Sequence, residues 1–149
     1  RNGWYLENYN GFIPSALDHG VVAGAAGEGL IAAAARADYA EAAARVLAEG
    51  NAHAGQTYEL AGDTAFTMAD WAAVLSAASG KPVRYQDMTE ADYRALLVQV
   101  GLPAEVADLL SSSDAGAAKG GLFDDSGTLG RLIGRSTTEL ETVLKAAVA

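Results

Sequence analysis

Residues 1–9 read Arg-Asn-Gly-Trp-Tyr-Leu-Glu-Asn-Tyr, a stretch that sets loop-forming residues among three aromatic rings. The composition predicts an irregular loop that leaves a strand. Such a loop can donate hydrogen bonds to a carbonyl group while one of its flat rings stacks on a planar ligand. It can equally be a buried loop whose amides bind backbone groups. The residues alone favour neither interpretation.

The chain after this loop shows the start and stop signals of short helices. Pro14 predicts the first turn of a helix that ends at His19 before Gly20, and residues 24–29 predict a turn. The apolar run 30–35 is ambiguous between strand and helix. Asp38 is predicted to cap a helix over residues 39–49, which Gly50 would end.

Three later helices are predicted from capping-box patterns, in which a hydroxyl and an acid three residues on bind each other's backbone amide. The pairs are Thr67 with Asp70, Thr89 with Asp92, and Ser136 with Glu139.

The remaining segments predict short elements: strands at 57–61 and 81–85, helices at 103–110 and near 129–133, and a polar loop at 111–121. Tyr39, Trp71 and Tyr93 fall on apolar helix faces and are predicted to be core residues. The sum is an α/β chain, rich in helix, with a few short strands. So few strands fit best as additions to a larger sheet, because alone they would leave most edges unpaired.

Charge and composition exclude several classes of function. The 149 residues carry a formal net charge of −9, which disfavours binding to nucleic acid or to an anionic membrane surface. The absence of cysteine excludes disulfides, thiolate metal sites and a cysteine nucleophile. No apolar run reaches the roughly 18 residues that a membrane span needs. These features favour the cytoplasm.

Familiar catalytic and binding motifs are missing from the chain. Gly24, Gly27 and Gly29 reverse the spacing of a dinucleotide fingerprint and are interpreted as a turn. No metal site is predicted, since His19 and His53 lack ligand partners at helical spacing. Asp124 and Asp125 are interpreted as caps of the next helix, and no serine lies in a nucleophile motif.

Several strings nevertheless resemble one family in its own order along nearly the whole chain. The segment 1–9 is similar to the one that follows the central strands in type 2 NAD(P)H:quinone oxidoreductases, NmrA-like members of the atypical short-chain dehydrogenase/reductase superfamily. The resemblance continues through Ala35-Arg36-Ala37-Asp38-Tyr39, Tyr58-Glu59-Leu60-Ala61-Gly62-Asp63, Lys119-Gly120-Gly121-Leu122-Phe123-Asp124-Asp125-Ser126 and Leu132-Ile133-Gly134-Arg135.

The resemblance implies a two-part, Rossmann-like molecule of which residues 1–149 are the C-terminal, substrate-side half. The family's glycine-rich nucleotide loop would lie in an N-terminal half outside this chain, and we expect further chain before Arg1. NADP or NAD would be bound mainly by that half, so this chain alone is expected to be inactive. Pairing with the other half, or self-association, would cover its free strand edges.

The activity implied is direct hydride transfer from NAD(P)H to a quinone, with the protein holding ring against ring. On the family pattern, the substrate-binding residues are Asn2, Gly3, Trp4, Tyr5, Asn8 and Phe123. Asn2 and Gly3 also border the cofactor. No catalytic acid or base is assigned, because this branch commonly lacks the acid–base pair of other short-chain dehydrogenases.

Two other functions compete with this one. A nucleotide-sensing NmrA-like regulator would bind NAD(P) and a partner protein without turnover. A helical interaction domain would bind no small molecule. The aromatic segment 1–9 favours the reductase. Which quinone is used and whether NADH or NADPH is preferred are not encoded in these residues.

Overall fold

Helices dominate the structure, a computed structural model that describes all 149 residues. Seven α-helices run along the chain, together with two strands and two 3-10 helices. The helices are α1 (Ile13–His19), α2 (Arg36–Glu49), α3 (Met68–Ser79), α4 (Glu90–Gln99), α5 (Ala104–Ala117), α6 (Thr128–Ile133) and α7 (Leu140–Val148). The strands are β1 (Val21–Gly24) and β2 (Arg84–Asp87), and the 3-10 helices are Leu6–Phe12 and Gly50–His53.

The two strands form a parallel pair in which Val21 lies opposite Arg84 and Gly24 opposite Asp87. Three isolated bridges lie outside this sheet: Asn2 with Leu60 and Tyr5 with Ala34 are parallel, and Ile31 with Phe66 is antiparallel. The predicted α/β class, rich in helix with few short strands, is confirmed.

Individual strand predictions fared less well. The strand predicted at 57–61 is wrong, because only Leu60 makes a bridge, and the one predicted at 81–85 lies further along as β2. No strand was predicted over residues 21–24, which form β1. Four residues are too few to show a clear alternation of apolar and polar side chains.

The core consists of three clusters of buried side chains, and the largest reaches from the start of the chain to its last helix. The largest group of buried side chains joins Leu6, Tyr9, Trp71, Leu75 and Leu144. The prediction that Tyr39, Trp71 and Tyr93 are core residues is confirmed, since each is 5% exposed or less. Tyr39 packs with α6 in a second cluster, and Tyr93 packs with α5 in a third.

Helix α2 begins earlier than the sequence suggested, so Asp38 is not its cap. Both carboxylate oxygens of Glu7 accept from the Arg36 amide, at 3.0 and 3.1 Å. Asp38 is instead fully buried and accepts from Arg135 Nη2 at 2.6 Å and from the Thr138 amide at 2.7 Å. It therefore ties the segment after α6 to α2 across about a hundred residues of sequence, rather than capping its own helix.

The predicted polar loop 111–121 is wrong over most of its length, because α5 continues to Ala117. The three consecutive serines turn their hydroxyls back onto the helix: Ser111 Oγ donates to the Asp108 carbonyl, and Ser112 and Ser113 both donate to the Leu109 carbonyl. Serine is tolerated inside a helix when its hydroxyl finds a carbonyl three or four residues back.

The capping boxes had mixed outcomes. The pair Thr67 and Asp70 makes both backbone bonds. Thr89 caps α4 through the Asp92 amide, at 3.1 Å, without the return bond to its own amide. The third box is wrong, because α7 starts after Glu139 with no side-chain cap. Asp124 also caps no helix: it accepts from the Ser126 amide at 2.8 Å, and Gly127 precedes α6.

Candidate functional site

The first residues of the chain are fixed by backbone pairing with two neighbouring segments. The Gly3 amide donates to the Leu60 carbonyl at 2.8 Å, and the Leu60 amide donates to the Arg1 carbonyl at 3.0 Å. On the other side, the Ala34 amide donates to the Trp4 carbonyl at 3.2 Å. We call residues 1–4 the first wall, because one side of it borders the cleft described below.

Glycine at position 3 follows from this close pairing. A β-carbon there would lie 2.9 Å from the Leu60 carbonyl oxygen and 3.3 Å from the Tyr39 hydroxyl. That hydroxyl donates to the Trp4 carbonyl at 3.2 Å, and burial raises the pKa of Tyr39 to about 12. The phenol therefore remains a proton donor at physiological pH, and it holds the first wall against α2.

A second segment faces the first wall. Residues 121–124 leave the tight turn after α5, in which the Gly121 amide donates to the Gly116 carbonyl at 2.9 Å. The Ala32 amide then donates to the Leu122 carbonyl, also at 2.9 Å. We call residues 121–124 the second wall. It is attached to the extended run after β1 by this single backbone bond.

Between the two walls lies an open cleft of about 390 Å³. That volume is within the range of small-molecule sites, roughly 300–1,000 Å³. Apolar surface from Trp4, Leu60, Leu122 and Phe123 alternates with polar groups from Asn2, Glu59 and Asp124. The cleft is lined by Asn2, Gly3, Trp4, Ala32, Glu59, Leu60, Ala61, Gly121, Leu122, Phe123 and Asp124.

The structure brings together four of the six residues expected to bind substrate: Asn2, Gly3, Trp4 and Phe123. Phe123 comes from the opposite end of the chain and leaves 46% of its surface exposed. Asn2 Nδ2 donates to the Tyr5 hydroxyl at 3.2 Å, and no protein donor is recorded for its Oδ1 atom. Asn2 thus lines the cleft and has an amide oxygen that accepts from no protein group.

Tyr5 and Asn8 do not line this cleft. The Tyr5 ring packs against Tyr39, with 5.1 Å between ring centroids, and the Arg36 guanidinium lies 5.5 Å above its centroid. Asn8 Oδ1 accepts from Arg36 Nη2 at 3.4 Å. Both side chains therefore support the start of α2, as Glu7 does.

Trp4 joins the cleft to the core. Its ring lies 6.5 Å from that of Tyr9, which in turn packs against Phe66 and Trp71 at 6.3 and 5.9 Å. Burial, with the charge of Asp114 second, raises the pKa of Tyr9 far above its ordinary value. The tyrosine is therefore neutral, and the aromatic stack gives Trp4 a rigid backing.

Several residues that line the cleft were not predicted from the sequence to belong to a site. Leu60 and Ala61 enter it because their backbone pairs with the first wall, and Glu59 lies at its rim in an ion pair with Arg1. Asp124 was interpreted as a helix cap. Neither Glu59 nor Leu60 has a local signature, because both were predicted to lie within a strand at 57–61.

Comparison with known proteins identifies the class to which this fold corresponds. No family model matches the chain. Its fold is that of the NmrA-like reductases, which confirms the resemblance drawn from the sequence. Quinone oxidoreductase 2 of Escherichia coli strain K12 is 60% identical over 140 residues, or 94% of this chain and 49% of that protein.

Two solved structures support the same class. The NADPH-dependent quinone oxidoreductase of E. coli, in complex with NADPH, aligns with a TM-score of 0.97 and 56% identity over 100% of this chain and 52% of that chain. Triphenylmethane reductase from Citrobacter sp. aligns with a TM-score of 0.92 and 30% identity over 99% and 51%. The chain thus spans about half the length of these relatives.

The structure also gives two findings on metals and membranes. It gathers no group of three or more histidine, aspartate or glutamate side chains that could hold a metal ion. None of its helices has both the length and the apolar character required to cross a bilayer.

Proposed function

We propose that the whole protein is an NAD(P)H:quinone oxidoreductase and that residues 1–149 are its substrate-side half. The observation that carries the proposal is the cleft itself, which sets Asn2 and Trp4 opposite Phe123. The similarity to E. coli quinone oxidoreductase 2 supports it, because the match covers 94% of this chain.

The residues of the first wall fit a nicotinamide ring. The Oδ1 atom of Asn2 has no recorded protein donor, so it can accept from a carboxamide. Gly3 presents no side chain, and the Trp4 ring offers a flat surface. When bound, NADP or NAD in its reduced form supplies the hydride. The pyrophosphate would be held mainly by an N-terminal nucleotide-binding half outside this chain.

The two walls have distinct tasks in this proposal. Trp4 and Leu60 give the quinone an apolar floor, and Leu122 and Phe123 cover it from the other side. Holding two rings in register and excluding water lowers the entropic cost of the transfer. No residue of this chain is assigned as a proton donor, so the catalytic residues stay unassigned.

The proposal extends to partners and location. The parallel pair β1 and β2 is joined by no third strand of this chain, so we infer that the nucleotide-binding half, or a second copy, completes the sheet. We place the protein in the cytoplasm, where NAD(P)H is available. A net charge of −9 argues against nucleic acid as a partner.

The test is a steady-state assay of the whole protein with NADPH and a simple benzoquinone. Turnover with NADPH consumption matched to quinone loss supports the reductase. Binding of NADPH without turnover across a series of quinones would instead indicate a nucleotide-sensing regulator. Failure to bind either molecule would favour an interaction domain. Phe123→Ala serves as a matched variant, because it removes an exposed ring of the second wall and should raise KM for quinone.

A further inference from the structure

Asp114, near the end of α5, makes a contact that no part of the proposed reaction uses. Its Oδ2 atom accepts from the Ala25 amide at 2.9 Å, in the turn that follows β1. Asp114 is partly buried and lies three residues before the end of α5. The contact therefore joins two elements that are 89 residues apart in sequence.

The neighbouring amides of the same turn are bound by side chains of β2. The Ala26 amide donates to the Tyr85 hydroxyl at 2.9 Å, and the Gly27 amide donates to Asp87 Oδ1 at 2.9 Å. The Tyr85 hydroxyl donates in turn to Asp87 Oδ1 at 3.0 Å. Three consecutive amides are thus occupied by three side chains, of which only Asp114 comes from α5.

Two glycines allow α5 to come this close. A β-carbon at Gly24 would lie 2.7 Å from Asp114 Oδ2, and one at Gly29 would lie 2.3 Å from the Ala117 carbonyl oxygen. Both distances are shorter than van der Waals contact, so the turn after β1 and the end of α5 fit together only without side chains there.

The end of α5 is also where the second wall begins. The Ala118 amide donates to the Asp114 carbonyl and the Gly121 amide to the Gly116 carbonyl, each at 2.9 Å. From Asp114 to Leu122 there is thus a short run of hydrogen-bonded backbone with little freedom of its own. Any shift of the last turn of α5 would be passed on to residues 121–124.

We propose that Asp114 is a positioning residue, which fixes the second wall at the cleft by fastening the end of α5 to the turn after β1. The proposal rests on the proposed function in one respect, namely that this cleft holds the quinone. The claim that Asp114 orders the second wall concerns the fold alone and can be tested separately.

The surroundings of Asp114 disfavour a negative charge at this position, whereas its contact with the Ala25 amide needs only an acceptor oxygen. Burial, and then the nearby carboxylate of Asp87, raise the pKa of Asp114. Tyr85 from β2, Tyr93 from α4 and Tyr9 from the 3-10 helix also lie near it, and no cation is among these groups. A neutral acceptor should therefore replace the carboxylate without loss.

The experiment compares Asp114→Ala with Asp114→Asn in the whole protein. Asp108→Ala is the control, because Asp108 lies on the same helix but pairs with Arg94 of α4 at the surface. Hydrogen exchange is measured at residues 25–27 and 118–123, which requires no activity. We expect Asp114→Ala to speed exchange in both segments about tenfold. Asp114→Asn and Asp108→Ala should stay close to the parent protein.

The kinetic readout is the KM for quinone. If the second wall becomes less ordered in Asp114→Ala, the KM for quinone should rise about tenfold, because ground-state and transition-state contacts to the wall weaken together. For the same reason kcat should stay within about twofold of the parent value, and so should the KM for NADPH, which does not depend on this wall. Asp114→Asn should restore the parent KM. If Asp114→Ala does not fold, Asp114→Leu decides, since it keeps a side chain of similar length but offers no acceptor to the Ala25 amide, and it should speed exchange at 118–123.

Three outcomes would overturn the inference: unchanged exchange at 118–123 in the variant that folds, equal effects of Asp114→Ala and Asp114→Asn, or an unchanged KM for quinone in an active Asp114→Ala protein. If the parent protein reduces no quinone, the proposed function fails, while the exchange data still decide whether Asp114 orders the second wall.

Discussion

The two walls of the cleft are held by different kinds of contact. The first wall is paired through its backbone on both sides, to Leu60 and to Ala34, and Trp4 rests on buried aromatic rings. The second wall has one backbone bond to another segment, from Ala32 to Leu122; in addition Leu122 packs against the main core, and the turn after α5 fixes where the segment starts. One wall is thus held by backbone pairing on both sides, whereas the other has a single such bond and follows the position of the end of α5.

This difference suggests a division of labour. A rigid wall suits the part of a site that must hold the same ring in the same place, such as a nicotinamide. A wall with few attachments suits the part that adapts to different substrates. If the difference is real, variants of the two walls should differ in whether they change stability, turnover or the KM for quinone.

The largest effect on stability is expected at Gly29, where the end of α5 contacts the turn after β1. Gly29→Ala places a β-carbon 2.3 Å from the Ala117 carbonyl oxygen, so α5 must move as a body. We expect a loss of about 3 kcal/mol in the free energy of unfolding, measured by urea denaturation. Gly116→Ala is the control, because no atom lies within 4 Å of its added carbon. If the Gly29→Ala protein were as stable as this control, the end of α5 would not be tightly packed against the turn after β1.

Trp4→Ala tests the first wall. Removing the ring should disturb the geometry between nicotinamide and quinone and lower turnover about a hundredfold in the whole protein. Trp4→Phe, which keeps a flat ring, should recover most of the rate. Turnover and melting temperature are measured on the same preparations. A fall in melting temperature with normal activity per folded molecule would assign Trp4 to the core alone.

Much of the fold could be predicted wherever the signal is local. Gly20, Gly50 and Gly134 end helices where expected, and each has a positive φ that other residues rarely adopt. Distant partners were invisible. Asp38 looked like a cap because its ligands, Arg135 and Thr138, are almost a hundred residues away. The serines of α5 looked like a loop because their carbonyl partners exist only once the helix has formed.

The candidate site divides in the same way. The residues of the first wall stand together in the sequence, and their composition made a ligand-binding loop one of two open interpretations. The family resemblance then favoured that interpretation and added Phe123. Leu60 and Ala61 enter through backbone pairing, which leaves no trace in side-chain type. Asp114, Tyr85 and Asp87 converge on one turn from three places in the chain, and no spacing rule relates them.

Asn2→Ala should have a smaller effect than Trp4→Ala. It removes the amide oxygen available at the cleft, and losing one hydrogen bond of this kind should lower kcat/KM about tenfold. Tyr5→Phe is the matched control, because it removes the hydroxyl that accepts from Asn2 Nδ2 and leaves the amide in place. Equal losses in both variants would mean that Asn2 is needed only to hold Tyr5.

The smallest effect concerns pH and compares two acids of α5. Burial and Asp87 raise the pKa of Asp114, whereas the contact with Arg94 lowers the pKa of Asp108. The folded protein therefore binds a proton at Asp114 more readily than the unfolded chain does, and its contribution to stability falls as pH rises above about 4. The contribution of Asp108 has the opposite sign, since it is lost as pH falls through its lowered pKa.

The measurement is the difference in urea midpoint between the parent protein and each asparagine variant across pH 3–7, which cancels the titration of all other acids. Asp114→Asn should become relatively more stable as pH rises, because the parent then carries a buried charge beside Asp87. Asp108→Asn should become relatively less stable over the lower part of the same range. If the stability differences of the two variants changed with pH in the same direction, the two acids would not differ as proposed. Both carboxylates would then behave as surface charges, and the contact between the end of α5 and the turn after β1 would contain no buried acid.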